Sequence, residues 1–152
     1  VEFESLASLV PLQTGEIADI VERTSNHWRK IFNLYAKLGF ALSQRKTDRL
    51  AVGGGKLDSW QRYRDEVLLQ DESRLALLFS EPDLAVSDRY HIISGKTYAQ
   101  ALNLTSELEF DVVDVDYMIN RGKRIIVSPY FDYRQLSNRK LDKLVELVCA
   151  LT

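Results

Sequence analysis

Five consecutive residues, Tyr130-Phe-Asp-Tyr-Arg134, concentrate most of the chemistry this chain offers. Aromatic rings beside a guanidinium suit stacking on a nucleobase or another flat ligand. Asp132 is the residue type that positions a water or accepts a hydrogen bond, and Arg134 the type that meets a phosphate. A structural reading weighs about as much: Phe131 and Tyr133 tuck under the last helix, and Arg134 pairs with a carboxylate. The stretch follows Arg124-Ile-Ile-Val-Ser128, an apolar run that reads as a buried strand. Ligands of open α/β folds sit at the carboxyl ends of such strands. Ser128 therefore joins Tyr130, Asp132, Tyr133 and Arg134 as a ligand-binding candidate.

A second candidate is Ser94-Gly95-Lys96-Thr97, which has the end of a phosphate-loop motif. The full motif needs another glycine five residues before its Gly-Lys, and Tyr90 stands there. The residues before Gly95 read as strand, so no cradle of backbone N–H groups forms and nucleotide triphosphate hydrolysis is not expected. What remains is a strand-to-helix turn in which Gly95 relieves crowding, with a weaker anion site from Lys96 and Thr97 at the helix start. Gly53-Gly-Gly55-Lys56 reads as a flexible loop rather than a phosphate contact, because no strand and helix flank it in register. His27 and His91 lack a third metal ligand at suitable spacing, and Asp111, Asp114 and Asp116 alternate along a strand instead of forming a calcium loop. No metal and no cofactor are expected. The acidic trio fits the solvated face and exit of an edge strand, and His91 a hydrogen-bonded histidine in or beside the core.

These candidates need a scaffold, and the chain is long enough for one. Its 152 residues match the usual size of one domain. Its 45% hydrophobic and 28% charged content are ordinary for a soluble protein. A net charge of −2 argues against a large nucleic-acid footprint and leaves room for a local basic patch. Cys149 is the single cysteine, so no disulfide forms within the chain, and its apolar surroundings suit a small buried hydrophobe. No apolar run approaches the roughly 20 residues of a membrane span, and no signal-peptide pattern occurs. A cytoplasmic setting is expected. The chain opens on Val1 rather than Met, which leaves room for residues upstream.

Periodicity supplies the elements. Residues 1–12 carry Phe3, Leu6, Leu9 and Val10 at helical spacing, closed by Pro11, and strand or helix is left open there. Thr14 is placed to cap a helix from Glu16 with Ile17, Ile20 and Val21 on one face. Ser25 or Asn26 caps a second, whose stripe is Trp28, Ile31, Phe32, Tyr35 and Leu38, with Gly39 as its stop. Residues 43–56 read as loop, and Asp58 as the cap of a third helix presenting Trp60, Tyr63, Val67 and Leu68. Strands are predicted at Leu75–Phe79, Tyr90–Ser94, Phe110–Val115 and Arg124–Ser128, with a short helix at Lys96–Leu102 and a turn at Asn120–Lys123. A last helix, capped by Ser137, buries Leu141, Leu144, Val145 and Val148. Alternation of strands and helices predicts an α/β fold. The expected architecture is a single-domain three-layer sandwich, residues 1–152, with a small, mostly parallel four-stranded sheet flanked by helices and a mainly helical N-terminal half.

Several of these segments together resemble the uracil-DNA glycosylase superfamily. Asn26-His-Trp-Arg-Lys-Ile-Phe32, then Leu38-Gly39, is similar to that family's Asn-Arg-Phe-Trp helix and later Leu-Gly. Tyr90 to Leu102 is similar to its strand, Gly-Lys turn and helix. Ile125-Ile-Val-Ser-Pro129 and Ser137-Asn-Arg-Lys-Leu141 resemble its last strand, DNA-contact loop and final helix. The resemblance implies a parallel four-stranded sheet between helices and enzymes that flip a base and cut its glycosidic bond. It also implies a water-activating loop after the first strand, and no strand leads into Pro11 or Gly15-Glu16. Ser128 or Tyr130 stands where the family places His or Asn, and Ser128-Pro129 reverses its Pro-Ser order. The expected function is thus a noncatalytic or degenerate glycosylase-like domain, such as a bacterial accessory factor, with a ligand crevice at the strand ends. Alternatives are a glycosylase-like enzyme on a nucleobase or nucleic acid, and an enzyme on another small ligand. Expected partners are a small ligand or nucleic acid and another protein, with no membrane.

Overall fold

Three helices hold the described part of residues 1–80: α1 (Glu16–Arg23), α2 (Asn26–Ser43) and α3 (Trp60–Glu66). They are seen in a computed structural model that describes residues 8–45, 52–86 and 88–151. Residues 1–7 and 46–51, on which part of the stretch left open as strand or helix and part of the 43–56 loop fell, lie outside it. By its contacts the chain divides into two compact units, Val1–Ser80 and Glu81–Thr152.

In the first unit, α1 and α2 are separate helices. Thr24 and Ser25 leave helical geometry between them, with Ser25 extended at φ −122° and ψ 161°. Gly15 rather than Thr14 stands at the cap of α1, and the Thr14 hydroxyl instead donates to Gln70 Oε1 at 3.2 Å. The α2 stripe is as expected, with Ile31, Phe32 and Leu38 buried. Gly39 is not its stop, for α2 runs on to Ser43. The glycine serves packing instead: a Cβ there would lie 2.7 Å from Tyr63 Cε1 and 2.8 Å from Tyr63 Oη and Leu75 Cδ1. Ser59, not Asp58, caps α3 by accepting from the Arg62 N–H at 3.3 Å. Asp58 pairs with the Arg62 guanidinium at 3.6 Å.

Tyr63 is the centre of this unit, fully buried among Ile17, Ile20, Phe32, Ala36 and Leu68. Gly54 closes on it from another side, where a Cβ would meet the ring at 2.7 Å. Gly53 lies so near the chain at Glu72 that a Cβ would come within 2.2 Å of that carbonyl oxygen. The glycine run is therefore a packed crossing rather than a flexible loop. Leu75–Phe79 is not a strand. Leu75 and Leu77 face the helical core and alternate with exposed Ala76 and Leu78. The Ala76 carbonyl accepts the Tyr35 hydroxyl at 2.7 Å instead of joining a ladder.

The second unit carries the sheet. Its elements are β1 (His91–Ser94), α4 (Lys96–Ala101), α5 (Leu104–Glu107), β2 (Asp111–Val112), β3 (Met118–Asn120), β4 (Ile125–Ser128) and α6 (Asn138–Leu151). The four strands lie in the order β1-β4-β3-β2. Only β1 and β4 are parallel, whereas β4–β3 and β3–β2 are antiparallel. The sheet is thus mostly antiparallel, contrary to the expectation. The reason is connection length: a parallel neighbour needs a crossover of about a dozen residues. Turns 113–117 and 121–124 are too short to reach anything but an adjacent antiparallel strand. Between β1 and β4 lie α4, α5 and the hairpin, which is ample.

Asp114 cuts the expected Phe110–Val115 strand to two residues, because its Oδ1 accepts the N–H groups of Asp116 at 2.7 Å and Tyr117 at 3.0 Å. Asn120 ends β3 in the same way, accepting from the Lys123 N–H at 2.7 Å. β4 is buried at all its residues. Ile125 and Val127 share a core with Ile93, Ala99 and Leu104. Helix α4 packs on β1 and β4, and α6 packs on β4. Ser137 caps α6 as expected, accepting from the Lys140 N–H at 3.4 Å, and Leu141, Leu144, Val145 and Val148 are its buried residues. Cys149 on that helix is half-buried.

Candidate functional site

The carboxyl ends of β1 and β4 meet. Their register pairs Ser94 with Ser128, and the Gly95 N–H donates to the Ser128 carbonyl at 2.9 Å. The loops 94–97 and 128–134 therefore start side by side, as the candidate site requires. Gly95 has φ +101° and ψ 132°, which L side chains avoid. A Cβ there would sit 3.7 Å from Tyr130 Cδ2, an ordinary contact. Backbone geometry, not crowding, thus calls for glycine.

The polar side chains closest to this junction are spent on it. The Ser94 hydroxyl accepts the Phe131 N–H at 3.2 Å. The Ser128 hydroxyl is buried and directed to carbonyls, that of Pro129 at 2.9 Å and that of Ile93 at 3.5 Å. Asp132 folds the loop on itself: its Oδ1 accepts from the Arg134 N–H at 2.9 Å, and its carbonyl from Gln135 and Leu136 at 2.9 and 2.8 Å. This is the Asx turn that Asp forms readily in loops. Phe131 is buried, Tyr130 half-buried and Tyr133 exposed at 41%. The aromatic trio thus divides: Phe131 anchors the loop, while Tyr133 and Arg134 face outward. Burial, aided by the nearby Asp132 charge, pushes the Tyr130 phenol above its ordinary value of 10.0.

A third loop reaches the same end. β2 runs in the direction of β4, so residues 113–117 follow its carboxyl end. The Lys96 ammonium donates to the Val115 carbonyl across that end. Lys140 and Lys143 on the first turns of α6 grip the loop from below. Lys140 Nζ meets Asp116 Oδ1 at 2.9 Å, and Lys143 meets Asp114 Oδ2. The buried Tyr117 donates its hydroxyl to the Lys140 carbonyl. The hydrogen bond from Lys143, then those from the Asp116 and Tyr117 N–H groups, hold the Asp114 carboxyl below its ordinary 3.8. Asp114 and Asp116 are thus structural groups rather than the solvated exit of a strand, whereas Asp111 does lie exposed on the edge strand. Residue-by-residue reading missed Lys140 and Lys143. Their i, i+3 spacing, set against an Asp-x-Asp turn, was the available signal.

Thr97 and Arg134 are exposed, and Lys96 is exposed with its head group on Val115. His91 begins β1, at the end of the strand away from the site, and its Nε2 is buried without a hydrogen-bond partner. Burial and then the Arg89 charge hold its imidazole below 6.5, against a smaller opposite pull from Asp83. Among the described residues, no three His, Cys, Asp or Glu side chains are grouped as metal ligands. No helix among them is long and apolar enough to cross a membrane.

The second unit is thus an α/β fold whose mixed sheet gathers three loops at one end, with the hydroxyls of Ser94 and Ser128 and the carboxylates of Asp114, Asp116 and Asp132 tied into the loops themselves. Residues 1–149 match the model of DUF6942, a family of unknown function, and the chain belongs to that family. Neither the curated proteins nor the solved structures yield a match.

Proposed function

We propose that residues 81–152 act as a noncatalytic, glycosylase-like binding module in a three-layer arrangement, with α4 and α6 on opposite faces of the sheet. Its ligand surface is the strand-end rim made by Lys96, Thr97, Tyr130, Tyr133 and Arg134. The ligand is a flat base, free or carried on the anionic backbone of a short single-stranded nucleic acid, which stacks on a tyrosine while a guanidinium meets base or phosphate. One observation carries the reading. The hydroxyls of Ser94 and Ser128 and the Oδ1 of Asp132 are engaged by the backbone. Tyr133 and Arg134 are exposed. A general base must reach the proton it takes, and the part these groups play in shaping the loops favours binding over catalysis. The single cysteine suits a reducing, cytoplasmic setting.

The test is a titration of a labelled single-stranded uracil oligonucleotide at low and high salt. Binding at low salt, weakened at high salt and by Arg134→Ala, with no release of free uracil, supports the module. Absence of binding at low salt, or affinity unchanged in Arg134→Ala, refutes the assigned surface. Uracil release would establish the enzyme reading instead.

A further inference from the structure

β2 forms one edge of the sheet, at the opposite side from β1. Its register with β3 is Asp111↔Ile119 and Val112↔Met118, and the Val113 N–H donates to the Tyr117 carbonyl at 3.0 Å. Hydrogen-bonded and non-hydrogen-bonded pairs alternate along an antiparallel ladder. Residues 111 and 113 thus face β3 with their backbone groups, and the N–H and C=O of Val112 point away from the sheet. On this edge Val112 is an exposed apolar side chain, at 72%, and the turn that follows exposes Val115 at 82%.

The approach to the edge is acidic with a period of two. Glu107, Glu109 and Asp111 are exposed, while Leu108 and Phe110 between them pack into the core beside Ile93 and Ile125. From Leu108 the backbone is extended, at φ −121° and ψ 146°. Glu109 and Asp111 therefore stand on one face of the strand, with Val112 continuing the opposite, apolar face beyond the core.

We propose that the β2 edge accepts an extended segment of a protein partner as an added strand, one that alternates lysine or arginine with apolar residues. Main-chain bonds to Val112 supply the pairing. Basic side chains opposite Glu109 and Asp111 supply the choice of partner, since opposite charges across a strand pair attract and like charges repel. Charge also disfavours a second copy of this chain. Antiparallel pairing of two β2 edges would bring both carboxylate sets onto the same face, which is how proteins keep edges from self-associating.

The test uses the full chain and a fluorescein-labelled peptide of alternating lysine and valine. A peptide with the same composition in two blocks, and an alternating glutamate–valine peptide, serve as comparisons. Val112→Pro removes the outward donor, a position where a strand tolerates proline because its N–H is not in the ladder. Loss of main-chain pairing should weaken the alternating lysine–valine peptide by about tenfold or more. Asp111→Lys should weaken it similarly while lowering its salt dependence, and Arg134→Ala should leave it unchanged, which separates this edge from the strand-end rim. Equal binding of the block peptide overturns the proposal. So does binding by a folded Val112→Pro or by Asp111→Lys within about twofold of the parent. Concentration-dependent dimerisation abolished by Val112→Pro would overturn it too, by assigning the edge to a second copy.

Discussion

Replacing Gly39 by alanine gives opposite signs under two accounts of that residue. If Gly39 were only a helical position, the added methyl would favour α2 by about 1 kcal/mol. The packing says otherwise. The new Cβ would meet Tyr63 Cε1 at 2.7 Å and Tyr63 Oη at 2.8 Å, against roughly 3.5–4.0 Å for relaxed carbon contacts. The flexible Leu75 Cδ1, at 2.8 Å, is free to turn aside. The Tyr63 ring is not, because Gly54 closes its other side and its side chain is fully buried. Overpacking of this kind costs about 1–3 kcal/mol. Taking the upper part of that range for two contacts on a fixed ring, and subtracting the helix gain, leaves a net loss of about 1–2 kcal/mol. Urea unfolding followed by tryptophan fluorescence reads it directly, because both tryptophans, Trp28 and Trp60, lie in residues 1–80. The midpoint should fall with the slope unchanged. A midpoint that rises would refute the Tyr63 packing.

Other perturbations report on separate contacts. Tyr63→Phe deletes a buried hydroxyl without a hydrogen-bond partner, so it should leave urea stability unchanged or raise it by up to about 1 kcal/mol; a loss of that size would mean the hydroxyl has a partner. Ser94→Ala leaves the Phe131 N–H without its acceptor and should cost about 1–2 kcal/mol, with faster amide exchange in residues 130–134 as the specific readout. Asp114→Asn removes the ion pair with Lys143 and should cost about 1 kcal/mol at neutral pH. The Asp114 carboxyl lies below 3.8 in the folded chain, so its contribution is present above that value and lost as the pH falls through the folded value; the variant and parent should converge in acid. His91 works in the same direction through neutrality. Its folded value is below 6.5, so the unfolded chain takes up the proton first and stability declines as the pH falls below 6.5. A chemical-shift titration midpoint for His91 at or above 6.5 would contradict this.

Much of the helical layout was legible because apolar spacing dictates it. The stripes of α2 and α6 are read directly from Ile31, Phe32 and Leu38 and from Leu141, Leu144, Val145 and Val148. What spacing could not reveal is where a chain stops. Gly39 has the composition of a helix stop, yet its role is to admit a tyrosine ring that lies far along the sequence. Leu75–Phe79 has the composition of a strand, yet strands need a partner ladder, and these residues meet helices. In the sheet, β1 and β4 were legible, but β3 was not anticipated, β2 stops short of its expected end, and the direction of pairing was not visible. The turns at Asp114 and Asn120 were short enough to demand hairpins, and Asp and Asn side chains that accept from following N–H groups are the reason. The same blind spot hid Lys140 and Lys143, whose meaning depends on a turn brought to them by the fold. Both loops were legible as strand exits, but their meeting through the pairing of Ser94 with Ser128 was not. That their hydroxyls would be consumed in holding those loops together depends on distances no sequence displays.

The rim at the ends of β1 and β4 is best tested by following backbone amide shifts in the full chain while a single-stranded uracil oligonucleotide is added at low salt. The binding-module account predicts saturable shifts concentrated at Lys96, Thr97, Tyr130, Tyr133 and Arg134, lost in Arg134→Ala, with the oligonucleotide recovered intact. Saturating shifts confined to other residues, or no shifts at all, would contradict it.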